Sequence, residues 1–310
     1  MAALALAATL TAADARGADA VDGATALAGE SAASRGEIAA VCGESAATRG
    51  EIAAVGGEAP LAGGVPVRAS VDLSRLSVHN PSLARGWNRR VAAARRYAAT
   101  RPGTIAFAVR TSTRIRGVGL DQSFPSTSVV KAMLLVAHTR RARDRPLRDD
   151  ERALLSPMIR SSDNDAANAI FVRVGTTSLT RLARAAGMRH FAPASPIWGN
   201  SQITARDQTR FFLRLPQLLP NRHRAYALKL LRTVVPSQRW GIGTLRLRGW
   251  RVHFKGGWGS GTGRIDHQVA LLTRRNERLA VAVLTAGNGS HAVGKQTLAG
   301  VFRRLLSGLE

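Results

Sequence analysis

The rhythm of apolar and polar positions changes along the chain, and each change predicts an element. Residues 82–99 set apolar and arginine positions at helical spacing and stop before Arg101-Pro102-Gly103, the pattern of a helix with a sharp end. Thr104–Thr111 and Arg114–Leu120 alternate with period two and carry Val and Ile, which predicts a β-hairpin. After the Phe124-Pro125 kink, residues 127–143 are nearly all apolar at first, the pattern of a buried helix. A helix over 149–160 follows, with Asp149, Asp150 and Glu151 in its first turn. Beyond the polar break Ser161-Ser162-Asp163-Asn164, one helix runs through Ala166, Ala167, Ile170 and Phe171 to Gly175, and a short one spans 177–186 up to Gly187. Residues 188–203 carry two prolines and no period, so a surface loop is expected, with helices over 204–215 and 222–235 after it.

The last third reads differently. Arg251–Lys255, His267–Arg274 and Leu279–Ala286 predict three strands. Residues 291–306 predict a closing helix with the stripe Val293, Leu298, Val301, Phe302, Leu305 and Leu306. Strands at both ends of a helical block predict an α/β (α+β) fold: one mixed sheet packed by helices, with the function-bearing loops where block and sheet meet.

The first 80 residues stand apart. Residues 2–13 are small and apolar, and Ala13-Asp14-Ala15 has the form of a cleavage site. Residues 1–15 are therefore expected to be a truncated secretory signal, the other reading being an alanine-rich terminus. A 14-residue unit occurs twice, Gly29–Cys42 and Gly43–Gly56, too few copies for a solenoid. Residues 16–80 are expected to be a low-complexity leader, poorly ordered at least through residue 66. Residues 81–310 are expected to hold the folded domain.

Charge refines the picture without deciding it. The net charge is +25, yet residues 1–60 hold eight of the 20 acids, so the remainder carries 42 basic against 12 acidic residues. Such a surface attracts polyanions. The basic residues are 41 arginines and four lysines, scattered and without interleaved aromatics or zinc-ligand spacing, which argues against a dedicated nucleic-acid interface. A single cysteine, Cys42, excludes an intrachain disulfide, and seven scattered histidines form no metal-ligand cluster. No metal and no cofactor are expected.

The four lysines make one pair conspicuous. Ser128 and Lys131 lie three residues apart at the start of the helix after Pro125, close enough to touch. A serine hydroxyl needs a neighbouring base to become a nucleophile, and a desolvated lysine at a helix N-terminus supplies one. Such a pair arises about once by chance in a chain this long, and a helix-capping serine beside an exposed lysine explains it equally well. Ser162-Asp163-Asn164 presents a hydroxyl and an amide in a tight break, suited to proton relay and to binding a peptide-like amide; an N-cap is the plainer reading. Lys255-Gly256-Gly257 puts a cation at a strand end beside backbone bare of side chains, where a glycine turn is the plainer reading.

In this order the three motifs resemble the penicillin-recognising serine hydrolases, most closely the class A β-lactamases. The resemblance covers residues 82–308. It includes Phe124 ahead of Ser128-Val129-Val130-Lys131, the run Ser162–Asn168, and Thr204-Ala205-Arg206-Asp207 after the loop. It implies a β-lactamase/transpeptidase-like fold: a mostly antiparallel sheet flanked by helices, with an all-helical block between first and last strands. It also implies that Ser128 is acylated, with Lys131 as its proton partner and Ser162 as shuttle to the leaving nitrogen. Asn164 would bind the substrate amide, and Lys255 its carboxylate. The backbone N–H groups of Ser128 and Trp258, the latter following Gly257, would form the oxyanion hole. The implied partner is a β-lactam or cell-wall peptide, and the implied state a secreted or wall-associated monomer.

Three departures limit the resemblance. Gly256 stands where the family has Thr or Ser, so a carboxylate-binding hydroxyl is missing; Ser260 and Thr262 are candidate replacements. The helical block between the first two motifs is short. The family's deacylating glutamate has no counterpart, since no glutamate lies between Glu151 and Glu277 and residues 188–203 hold no acid. Asn200 marks the remnant of that loop, and Asp207 is expected to be structural. Acylation with slow release is the expectation, with a wall carboxypeptidase as second choice. An inactive module holding anionic wall polymer remains open as an alternative, and a nucleic-acid binder follows well behind.

Overall fold

The computed structural model describes residues 86–259 and 264–310. The residues expected to hold a signal, the 14-residue repeat, and Ser260 and Thr262 lie outside the described residues. The chain runs α1 (Trp87–Ala99), β1 (Thr104–Arg110), β2 (Ile115–Val118) and the short β3 (Phe124–Pro125). A 3₁₀ turn, Thr127–Val130, leads into α2 (Lys131–Arg141), followed by α3 (Asp149–Arg160) and α4 (Asn164–Ala186). Then come β4 (Gln202–Ile203), α5 (Ala205–Leu218), α6 (Asn221–Arg232), β5 (Arg251–Gly259), β6 (Ile265–Arg274), β7 (Glu277–Ala286) and α7 (His291–Leu305).

Five strands form one antiparallel sheet in the order β2-β1-β7-β6-β5, so the first hairpin pairs with the last strand. This is the helix-flanked antiparallel sheet that the resemblance implies, with no parallel pair among its strands where the strand pattern alone predicts a mixed sheet. Its period-two pattern is used on both faces. Ala106 and Ala108 of β1, Val269 and Leu271 of β6, and Ala282 and Leu284 of β7 join one core beneath the helical block. Phe107 and Val109, Ala270 and Leu272, and Val281 and Val283 join the other, beneath α1 and α7. A sheet covered on both sides buries every central position, which is why these strands read as apolar runs.

Helix α2 is the axis of the helical block, with every residue from Lys131 to Thr139 buried. An apolar helix surrounded on all sides needs no polar face, and the two charged or titratable groups it buries must be satisfied internally. His138 meets Glu151, which also takes both arms of Arg145 and the Arg148 backbone N–H. Those donors hold the Glu151 carboxyl well below the usual carboxylate range. The other buried group is Lys131.

Several expectations shift in detail. The two helices expected on either side of Gly175 are present, separated by a kink where Gly175 adopts φ +67. The strand expected to end at Lys255 continues to Gly259, so Gly256, Gly257 and Trp258 lie in β5 rather than in a turn. The loop 188–203 contains a 3₁₀ turn, Trp198–Asn200, and ends in β4, which pairs with β3 just ahead of Ser128.

Candidate active site

Ser128 sits in the 3₁₀ turn ahead of α2, half-buried between buried neighbours Thr127 and Val129. The turn is held from both directions. Ser126 donates its N–H to Ser201 O at 2.7 Å and its hydroxyl to Gly199 O at 3.2 Å, fastening the loop to the turn. Thr127 adopts φ +45, a conformation costly for a β-branched residue, and directs its hydroxyl back to Ser126 O. His267 of β6 lies beneath: its Nδ1 accepts the Thr285 N–H at 3.0 Å, which leaves Nε2 to donate to Pro125 O at 3.0 Å. Complete burial pushes the His267 pKa down to about 4, so the ring stays neutral in that tautomer.

Lys131 follows on the buried face. Its amine donates to Ser162 O at 2.5 Å, Asp163 O at 3.1 Å and Asn164 Oδ1 at 2.8 Å, with Ser162 Oγ at 3.4 Å. The Trp198 ring covers it, 4.9 Å from the ring centre. Burial lowers its pKa to about 7, opposed in part by Asp163, so amine and ammonium forms are both accessible at neutral pH. Asp163 itself is exposed and caps α4 by accepting the Ala166 N–H at 2.7 Å. Among the described residues no hydrogen bond joins the Ser128 hydroxyl to Lys131. Such bonds commonly tighten only when substrate arrives.

Ser162 adopts φ +62 at the turn into α4, which aims its hydroxyl between two amines. Lys255 donates to Ser162 Oγ at 2.9 Å and to Gly256 O at 2.7 Å. Lys255 is buried, and desolvation, followed by the charge of Lys131, drives its pKa well below the usual lysine range. Strand β5 meets the nucleophile turn at Gly257. A Cβ there would lie 2.2 Å from Thr127 Oγ1 and 2.9 Å from Ser128 N, so only glycine allows the approach. Trp258 follows on β5, the last strand in the sheet order.

These groups surround one cavity of about 240 Å³, lined by Ser128, Ser162, Asn164, Trp198, Asn200 and Trp258 among others. The structure thus brings Ser128, Lys131, Ser162, Asn164, Lys255, Gly257 and Trp258 together. Sequence reasoning missed Trp198, whose indole N–H donates to Asn168 Oδ1 at 2.7 Å, and Ile197, 62% exposed at the cavity mouth. A tryptophan in a proline-containing loop was the available signal. Asp207 is buried and accepts the N–H groups of Arg189 and His190, a structural anchor for the start of that loop. Among the described residues no group of three His, Cys, Asp or Glu side chains forms a metal site.

The architecture is that of the penicillin-recognising serine hydrolases. It is similar to a crystal structure of a β-lactamase from Sphaerobacter thermophilus, with a TM-score of 0.60 and 21% identity over 72% of this chain and 97% of that one. A class A β-lactamase from Mycobacterium abscessus gives 0.60 at 19% identity, covering 70% and 98%. A β-lactamase from Chitinophaga pinensis gives 0.61 at 16% identity, covering 72% and 100%. No curated protein matches in a sequence search. The model of the beta-lactamase enzyme family matches residues 151–307, and the chain belongs to that family. The matched segment contains Ser162, Asn164 and Lys255, while Ser128 and Lys131 precede it.

Proposed function

We propose that this protein is a serine hydrolase that forms an acyl-enzyme on Ser128 with β-lactams or cell-wall peptide and ester substrates, and releases the acyl group slowly. The observation that carries this is the Lys131 amine: buried, near neutrality in pKa, and held by the Ser162–Asn164 turn beside Ser128. In its neutral form the amine accepts the Ser128 proton as the hydroxyl oxygen attacks the carbonyl carbon. Ser162 Oγ, between Lys131 and Lys255, passes a proton to the leaving nitrogen or oxygen. The Ser128 and Trp258 N–H groups receive the developing oxyanion. Asn164 holds the substrate amide through the half of its side chain not engaged by Lys131.

Release is the slow step because water attack on an ester needs a base, and no carboxylate lies in the loop that lines the cavity. Wall carboxypeptidase activity is the second choice within this mechanism, and export to the cell wall is the corresponding location. The experiment is labelling with a fluorescent penicillin alongside turnover of a chromogenic cephalosporin. Covalent label on the wild type, none on Ser128→Ala, and a burst followed by slow steady turnover are expected. Equal labelling of both proteins excludes the nucleophile, and rapid multiple turnover excludes slow release.

A second reading is an inactive module that holds anionic wall polymer. It is favoured by a cleft of about 1020 Å³ where β5 begins and β6 turns into β7, lined by Arg248, Arg251 and Arg275, with Arg274 there already paired to Glu277 at 2.8 Å. Failure to label at Ser128, with retention on anionic polymer, is its signature.

A further inference from the structure

A substrate carboxylate in this family is expected to meet the Lys255 amine and a hydroxyl on the next residue. Neither is free here. The Lys255 amine donates to Ser162 Oγ at 2.9 Å and Gly256 O at 2.7 Å, and the residue is 1% exposed. Gly256 has no side chain, and the space beside it is taken: a Cβ would lie 3.0 Å from Cη2 and 3.2 Å from Cζ2 of Trp240. Trp240 is fixed there by Gln268, which stands opposite Gly256 on β6. Gln268 donates to Trp240 O at 2.7 Å and accepts the Ile242 N–H at 2.8 Å. Its own amide is therefore unavailable to a ligand.

The same margin is apolar where it reaches solvent. Trp258 packs edge-on to Trp240 with ring centres 5.9 Å apart and stacks on His291 at 5.9 Å. His291 Nδ1 in turn is hydrogen-bonded at 2.5 Å to the buried Asp266, so that ring nitrogen already has a partner. Opposite stands Ile197. Trp258 and Ile197 are two of the three large apolar side chains exposed among the described residues, and both line the cavity. Among the described residues, a carboxylate brought here would lose its water without gaining the Lys255 amine or a hydroxyl on residue 256, which is unfavourable.

We propose that this site takes neutral esters with apolar groups and discriminates against acyl donors that carry a carboxylate beside the scissile bond. The inference rests on the acyl-enzyme reading above and narrows its substrate class: penicillins and wall peptides, which carry such a carboxylate, are slower acyl donors to Ser128 than neutral esters. In the first half-reaction Ser128 Oγ bonds to the ester carbonyl carbon and the carbon–alkoxide bond breaks. The Ser128 proton passes to Lys131, and a proton passes through Ser162 Oγ to the alkoxide, which leaves as the alcohol. Water then adds to the acyl-serine, releasing the carboxylic acid and restoring the Ser128 hydroxyl.

The test compares para-nitrophenyl butanoate with the same ester bearing a carboxylate on its leaving ring, both releasing a coloured nitrophenolate. The neutral ester should be favoured in kcat/KM by about tenfold or more, the scale set by an unpaired charge at a polar contact. The double variant Gly256→Ser with Trp240→Ala restores both hydroxyl and room, and should narrow the ratio. Because both esters are read on one preparation, partial misfolding cancels from it. Equal rates, or preference for the charged ester, overturn the inference while penicillin labelling at Ser128 leaves the acyl-enzyme reading standing. Ester turnover unchanged in Ser128→Ala overturns both.

Discussion

On one flank of the cavity, buried Lys131, Ser162 and Lys255 and exposed Asn164 form a continuous chain of hydrogen bonds. On the other, Ile197, Trp198, Gly199 and Asn200 present an alkyl group, an indole, backbone and one amide. The first flank holds two amines with depressed pKa values around a serine hydroxyl, an arrangement able to take and return a proton. The second has no group that titrates. The contrast separates the half-reactions: forming an ester on Ser128 draws on the first flank, and hydrolysing it calls on the second. A site can keep its acylation machinery and lose fast release without any change of fold.

The largest effect should come from removing the base on the first flank. Lys131→Met keeps most of the apolar stem of the side chain and takes away the amine. Acylation by a penicillin, followed by intact mass, should slow by about 10³-fold, within the range typical of general-base removal. A decrease of less than tenfold would mean that another group accepts the Ser128 proton, with Lys255 the next amine in the chain. The contrast between flanks would then need redrawing around Lys255.

The first flank was largely legible in the sequence, because its residues fall in three short motifs whose order the fold family fixes. What joins them was not. Gly256 and Gly257 read as a turn since glycine weakens strands. They lie in β5 because the Thr127–Val129 backbone comes within contact of Gly257 and Trp240 fills the side of Gly256, both long-range facts. The pairing of β3 with β4 involves two residues each, too short for any period to announce. The break at Gly175, a purely local property, was anticipated. On the second flank the missing carboxylate was visible as an absence, whereas the Trp198 ring over Lys131 was not, since contacts across 67 positions leave no local pattern.

A smaller effect follows from pH. With Lys131 near a pKa of about 7, the ammonium form dominates below it and has no lone pair to receive a proton. The amine form dominates above. The acylation rate constant should therefore rise about tenfold between roughly pH 6 and 8 and level off beyond. The linkage to stability has the same sign. The unfolded chain binds this proton up to its ordinary pKa of 10.5 while the folded one has released it, so stability rises with pH from about 7 to 10.5. Stopped-flow labelling across pH checks the first statement. An acylation rate that falls over this interval would remove Lys131 as the base.

The smallest effect sharpens the comparison most, because it adds function to the poorer flank. Asn200→Glu places a carboxylate on the turn that carries Trp198, at the lining of the cavity. If release is slow for want of a base, the acyl-enzyme lifetime should shorten by about threefold to tenfold, a partial gain from a base that is not fully positioned. The same carboxylate also favours the ammonium form of Lys131, so the midpoint of the acylation profile should move above 7. Acylation at neutral pH should then slow slightly as release accelerates. Measuring both on one variant separates the flanks. A moved midpoint with unchanged lifetime would show that the new carboxylate reaches Lys131 but not the water. The slow step would then lie in access of water to the ester, not in its activation.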